Sequence, residues 1–421
     1  MTPRHDLVVR NIGRLATLAG PVPRIGPAMN DLRMVDDAAV AVTGGRITFA
    51  GPVADLPPGT AARTIDAEGG AVLPGFIDAH THLVFAGDRD EEIRQRLAGR
   101  SYREIADAGG GIVRTVDSTR RASVDDLVGG LCRRLDEMLL QGTTTAEVKS
   151  GYGLDTAAEV RSLEAIAAAA RRHPVTVVPT FLGAHEVPVE HRSDRRRYVD
   201  LLIGEMIPEV ARRRLAHFCD VFCEEGVFTV AESREILAAA KRHGLALRIH
   251  ADELCWTGGA ELAAEVGARS ADHLLFVSEP GMAALARASC VATLLPTAAF
   301  YLRLGRQAPA RALIAAGVPV ALASDGNPGG GLSPSLPFAI ALGCFALGLT
   351  LEEAISAVTV NAAYSVDRHA EVGTLESGKR ADLIVLRADR LLDLVRVGIP
   401  AIRSVVKDGR VVVDDGRRVA A

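Results

Sequence analysis

The chain has 421 residues, 48% of them hydrophobic, and a formal net charge of −4. That length predicts two or three domains, or one large barrel with an added module. A mildly acidic chain lacks the cationic excess that neutralises phosphates, which argues against a nucleic-acid binder. Arg195-Arg196-Arg197 and Arg212-Arg213-Arg214 read as solvated helix faces.

In chain order, residues 1 to about 70 are short β-like runs between turn residues. Val40-Ala41-Val42 and Arg46 to Ala50 flank Gly44-Gly45, a hairpin signal. The middle of the chain alternates strand-like runs with alanine-rich helical stretches, the pattern of βα units around a parallel sheet. Eight strand candidates end near Asp78, Lys149, Phe181, Glu224, His250, His273, Leu295 and Ser324. Eight units in this length predict a (β/α)8 barrel, with a doubly wound open sheet as the alternative. No G-x-G-x-x-G follows the first strand, so a dinucleotide fold has little support. The alanine run Ala165 to Ala170 reads as helix. Near the end, Ala381 to Leu386, Ile402 to Lys407 and Arg410 to Val413 read as strands, the last two joined by Asp408-Gly409. The expected organisation is a composite β domain from residues 1–70 and 370–421, shaped as a small β-sandwich, around a barrel over residues 71–369.

Six cysteines, Cys132, Cys219, Cys223, Cys255, Cys290 and Cys344, form no C-x-x-C pair and sit in apolar surroundings. They read as buried free thiols of a reducing compartment. Residues 1–10 lack a signal-peptide core, and no apolar run approaches the roughly 20 residues of a membrane span. The expectation is a soluble, cytoplasmic protein with no membrane partner.

The chemistry-bearing residues fall at strand ends. Gly75 to Asp78 leads into His80-Thr81-His82, and on a strand alternate side chains share a face. Two imidazoles on one rigid face are half of a divalent metal site. The fifth strand delivers His250, with Glu253 three residues on. The sixth delivers His273, and the eighth delivers Asp325 ahead of Gly326-Asn327-Pro328-Gly329-Gly330. Singly, His250 reads as a core histidine, Asp325 as a turn or helix cap, Glu253 as a helix-start carboxylate and His273 as a loop cap. Jointly, His80, His82, His250 and Asp325 make a set of three nitrogens and one oxygen suited to Zn(II) or Fe(II).

This constellation resembles the amidohydrolase superfamily, metal hydrolases built on a distorted TIM barrel. Its His-x-His, third His and Asp correspond to His80, His82, His250 and Asp325. The closing Gly373 to Leu383 segment is similar as well. Longer matches narrow the resemblance to the branch that hydrolyses 4-imidazolone-5-propionate. They are Phe85 to Arg89, Gly109 to Ile112, Glu147 to Leu154, Thr180 to Glu186, Asp220 to Glu224 and Ala323 to Gly329.

The resemblance implies cleavage of a ring amide C–N bond, giving N-formimidoyl-L-glutamate in histidine degradation. It implies one divalent metal and substrate contacts from Arg89, Tyr152, His185, Glu253, Asn327, Gly329 and Gly330, and it points to a homodimer. Family members often carry a hydroxyl residue where Gly330 stands, and some carry Gln where Glu253 stands. Glu253, His273 and Asp325 are the candidate catalytic groups. Asp325 suits proton transfer, His273 suits the oxyanion, and the planar fork of Arg89 suits a propionate tail. Lys149 reads as a structural lysine, while Glu224 stands at a strand end where a two-metal enzyme would place a bridge. The enzymatic alternative is a mononuclear deaminase of a cyclic amidine or nucleobase, which would not need the Arg89 and Tyr152 carboxylate clamp. A non-catalytic scaffold would not need the metal ligands.

Overall fold

The structure is a computed structural model that describes residues 4–100, 104 and 110–419. Gly109, part of the glycine run noted above, lies outside the described residues.

The chain opens with β1 (Arg4–Ala16), β2 (Met34–Thr43), β3 (Arg46–Pro52), β4 (Thr60–Asp66) and β5 (Ala71–Pro74). Gly44 and Gly45 join β2 to β3 with φ of 60° and 74°. Positive φ at both central residues is the turn whose twist matches a hairpin, and glycine adopts it without a Cβ penalty. Eight short parallel strands follow: β6 (Phe76–Asp78), β7 (Thr143–Lys149), β8 (Thr176–Ala184), β9 (Phe218–Cys223), β10 (Ala246–Ala251), β11 (Ser270–His273), β12 (Val291–Leu294) and β13 (Val320–Leu322). The chain finishes with β14 (Leu383–Leu386), β15 (Ile402–Lys407), β16 (Arg410–Asp414) and β17 (Arg417–Arg418).

Strands β6 to β13 lie side by side in sequence order, each parallel to the next. The sheet closes by a bridge between Thr81 and Gly326, beyond the ends of β6 and β13. His82 N donates to Gly326 O at 2.9 Å, and Asp325 N donates to His80 O at 3.2 Å. The closing seam therefore runs through His80-Thr81-His82 and Asp325. The helices between strands carry local start signals. Ser123 with Asp126, and Thr229 with Glu232, form capping boxes, while Asp155 caps the helix Thr156–Arg172 that contains the alanine run. At the opposite mouth of the barrel the short helix Val360–Ser365 packs Ala362 and Ala363 against Ile77, Phe218, Val291 and Ala321.

The termini build one nine-stranded sheet in which β14 pairs antiparallel with β5, and β5 pairs parallel with β1. It folds back on itself around Leu7, Val9, Ile12, Val40, Val42, Leu383, Val385 and Val406. The sandwich expected from sequence is thus a single sheet closing on one apolar face. Its two halves meet where Ala381 N donates to Gly45 O at 2.9 Å. Among the described residues, no helix is long and apolar enough to cross a membrane. All six cysteines are free, but only Cys219, Cys223 and Cys290 are buried, and the other three are half-exposed.

Candidate metal centre

At the C-terminal mouth of the barrel, His80 and His82 leave β6 on one face and meet His250 from β10. The Nε2 atoms of His80 and His82 are 3.2 Å apart, and those of His82 and His250 are 3.3 Å apart. Asp325 Oδ1 lies 3.6 Å from His80 Nε2 and 3.5 Å from His82 Nε2. All four side chains are buried.

Hydrogen bonding orients the rings. Nδ1 of His80 donates to Asp272 Oδ2 at 2.6 Å, and Nδ1 of His250 donates to Asp220 Oδ1 at 3.1 Å. A carboxylate only accepts, so each ring carries its proton on Nδ1 and aims an Nε2 lone pair at the centre. Asp325 Oδ1 is buried without a hydrogen-bond partner. Converging lone pairs at this spacing repel unless a cation sits between them. A tetrahedral ion with bonds of about 2.1 Å separates its ligand atoms by about 3.4 Å, which the four distances bracket. The donor set fits a divalent metal ion. Burial, followed by neighbouring charges, pushes His80 and His82 well below the ordinary imidazole range. Burial also pushes Asp325 up to about 7.

His273 ends β11 with φ of 75°, and Asp325 follows β13 with φ of 52°. Both occupy the left-handed region that non-glycine residues rarely adopt. This turns His273 toward Glu253, whose Oε1 lies 3.5 Å from His273 Nδ1. Burial beside Asp325 and Glu224 pushes the Glu253 carboxyl well above the usual carboxylate range. His185 stands over His82 with ring centroids 4.9 Å apart and planes at 21°. Its Nδ1 donates to Gly151 O at 2.9 Å, which leaves Nε2 as an acceptor.

These groups line a cavity of about 190 Å³ with Arg89, Tyr152, Asn327 and Gly330. Arg89 immediately precedes the helix Asp90–Leu97, and its Nε donates to Glu92 Oε2 at 2.8 Å. Glu92 also accepts from Gly111 N at 3.0 Å, which ties the glycine run to the arginine. Sequence reasoning gave no role to several further lining residues, among them Arg192, Phe222 and Leu302. Phe222 stands near the end of β9, inside the Asp220 to Glu224 match, but an apolar ring there marks neither ligand nor catalyst; Arg192 and Leu302 stand at no strand end and in no paired motif.

The glycine-rich loop after β13 serves the protein more than sequence reasoning expects. Asn327 Oδ1 accepts from Gly329 N at 2.8 Å and Gly330 N at 2.6 Å, and its Nδ2 donates to Asp325 O at 2.7 Å. A Cβ on Gly329 would lie 2.2 Å from Arg89 Nη1, and one on Gly331 would lie 1.6 Å from the Asp325 carbonyl oxygen. The glycines thus make room for Arg89 and for the Asp325 backbone.

The Glu224 carboxylate is engaged by backbone. It accepts from the backbone N–H groups of Glu253, Leu254 and Cys255 at 2.9, 3.0 and 3.2 Å. Asp252 holds the far side of the same loop, accepting from the N–H groups of Thr257, Gly258, Gly259 and Ala260 at 2.9 to 3.2 Å.

Comparison with known proteins agrees with this geometry. The amidohydrolase family model matches residues 71–413, and the chain belongs to that family. The fold matches solved structures as well. Aligned over 100% of this chain and 96% of the other, the structure matches an adenosine deaminase from Xanthomonas campestris with bound zinc at a TM-score of 0.70 and 17% identity. Sequence similarity is far closer to one branch. The chain is 51% identical, over 98% of each protein, to the imidazolonepropionase of Symbiobacterium thermophilum. It is 48% identical to that of Geobacillus kaustophilus over 98% of this chain and 99% of the relative. Within the amidohydrolases, the chain belongs to the imidazolonepropionase family.

Proposed function

We propose that the protein hydrolyses the ring amide of 4-imidazolone-5-propionate to N-formimidoyl-L-glutamate, with one divalent ion, Zn(II) or Fe(II), held by His80, His82, His250 and Asp325. The observation that carries this reading is a four-donor centre opening onto a cavity that a buried arginine, Arg89, also lines. A carboxylate-bearing ring fits that arrangement, whereas a neutral nucleobase brings no anion to the arginine.

When bound, the ion lowers the pKa of a water toward about 7 and draws electron density from the ring carbonyl. The chain's own groups orient the substrate. The Arg89 guanidinium, braced by Glu92, pairs with the propionate, and Tyr152 donates its hydroxyl to the same group. His185, with its proton on Nδ1, accepts a ring N–H at Nε2. Water oxygen adds to the carbonyl carbon and the ring C–N bond breaks, leaving a carboxylic acid and an amidine. Asp325, which would hold the ion through Oδ1, takes the water's proton on its other carboxylate oxygen and returns it to the departing nitrogen. His273 donates to the carbonyl oxygen as charge builds there. Glu253, held against His273 by the Glu224 loop clamp, hydrogen-bonds the ring nitrogen. Six free cysteines support a reducing, cytoplasmic setting.

The test is absorbance decay of 4-imidazolone-5-propionate, generated from urocanate in the cuvette, with native, chelated and metal-restored enzyme. Rapid loss that chelation stops and zinc or iron restores is expected. No loss from metal-replete enzyme would overturn the proposal and direct attention to cyclic amidines.

A further inference from the structure

The Glu147-Val148-Lys149 run ends β7, and its two charged side chains point into the barrel, the alternation that a strand imposes. Both are completely buried, as are Asp220 and Asp272. Lys149 Nζ lies 2.9 Å from Glu147 Oε1, 2.8 Å from Asp220 Oδ2 and 4.0 Å from Asp272 Oδ2. Each carboxylate grips a different part of the metal centre. Glu147 Oε2 accepts from Thr81 N at 3.2 Å, and Glu147 O accepts from Thr81 Oγ1 at 2.6 Å, which pins the residue between His80 and His82. Asp220 Oδ1 takes His250 Nδ1, and Asp272 Oδ2 takes His80 Nδ1. The Lys149 backbone joins the same seam, because its N–H donates to Thr81 O at 3.0 Å.

We propose that Lys149 is a positioning residue for the metal: its ammonium locks together the carboxylates that aim His250 and hold the His80-Thr81-His82 segment, so it sets metal affinity without touching the ion. The inference rests on the metal reading above.

Charge supports it. Three buried carboxylates face two buried cations, Lys149 and Arg248, and Arg248 Nη2 sits 3.1 Å from Asp272. Asp272 therefore keeps Arg248 if Lys149 is lost, whereas Asp220 has Lys149 as its ion-pair partner. A buried carboxylate deprived of its cation does not hold its place. The His250 arm should loosen first. Carboxylates that orient ligating histidines are worth roughly 10- to 100-fold in metal affinity.

The experiment measures zinc affinity by chelator competition on full-length protein stripped of metal, and the visible absorption of the cobalt-loaded form. The proteins are wild type, Lys149→Met, Asp220→Asn and the double variant. The expected results are zinc binding roughly 10- to 100-fold weaker in Lys149→Met, with an altered cobalt spectrum. The double variant should lose less zinc affinity than the product of the two single losses, because part of the Lys149 effect runs through Asp220 and the rest through Glu147. It leaves one buried carboxylate, Glu147, without its cation where Lys149→Met leaves two, so it reports even if Lys149→Met does not fold. Unchanged zinc affinity in folded Lys149→Met, or losses that multiply in the double variant, would overturn the inference. A wild-type chain that takes up no zinc, iron or cobalt would overturn the metal reading itself, which is a separate failure.

Discussion

Gly329→Ala tests how the loop after β13 supports the arginine. A Cβ built there lies 2.2 Å from Arg89 Nη1 and 2.5 Å from Cζ, whereas ordinary contact begins at 3.4 Å. The guanidinium must therefore move by about 1.2 Å, the difference between 3.4 and 2.2 Å. The atoms in the way are the far end of a flexible side chain, and Gly329 is absent from the positive-φ residues. Alanine should thus fold normally while displacing Arg89 from the cavity wall. A charge-assisted hydrogen bond contributes about 1.5–3 kcal/mol, which corresponds to roughly 10- to 100-fold. That loss belongs to ground-state binding of the propionate tail, so it should appear in KM with kcat nearly unchanged. The assay is steady-state consumption of 4-imidazolone-5-propionate, with thermal unfolding as a control for fold. Arg89→Ala should raise KM similarly, and the double variant should be no worse than Arg89→Ala alone. An unaltered KM in folded Gly329→Ala, or losses that multiply in the double variant, would refute the reasoning.

Asp325→Asn should bring turnover to background, because the group assigned to carry the proton is gone; near-normal activity in metal-loaded variant protein would exclude that role. Gly331→Ala drives a Cβ to 1.6 Å from the Asp325 carbonyl oxygen, a backbone atom that cannot swing aside. It should cost about 1–3 kcal/mol in denaturant unfolding and weaken zinc binding, and wild-type values for both would contradict the clash. Glu224→Gln replaces one of two oxygens that accept from the Glu253–Cys255 backbone. A roughly tenfold fall in kcat with zinc affinity retained is expected, about 1.4 kcal/mol in the barrier. A fall in zinc affinity instead would point to Glu224 as a metal ligand.

Much of the architecture could be read in advance because it is locally encoded. The eight strand ends expected from alternating apolar and helical patterns lie within a few residues of those observed, and the Gly44-Gly45 and Asp408-Gly409 turns join the pairs they were expected to join. The His80, His82, His250 and Asp325 set was legible for a similar reason: strand polarity in a parallel barrel sends strand ends to one mouth. Sequence leaves Glu224 open as a bridge because its position at a strand end fits a ligand, and only the path of the 253–255 loop reveals its three backbone partners. Glu147, Lys149, Asp220 and Asp272 did leave a signal. They are charged residues inside strands that read as core, among apolar and small hydroxyl neighbours, and charges buried that deeply have to be paired. What sequence could not say was which pairs with which.

By itself, then, the sequence determined the order of elements, the inward face of each strand and the donor types at each strand end, since these depend on neighbours one to four residues apart. Barrel closure was decided only in three dimensions. It brings Asp325 to the His80-Thr81-His82 seam across more than two hundred residues, selects the Nδ1 tautomers through Asp220 and Asp272, and places Gly329 beneath Arg89. Those outcomes depend on register and on which groups are denied water together. Both are properties of the closed barrel and are encoded in no single strand.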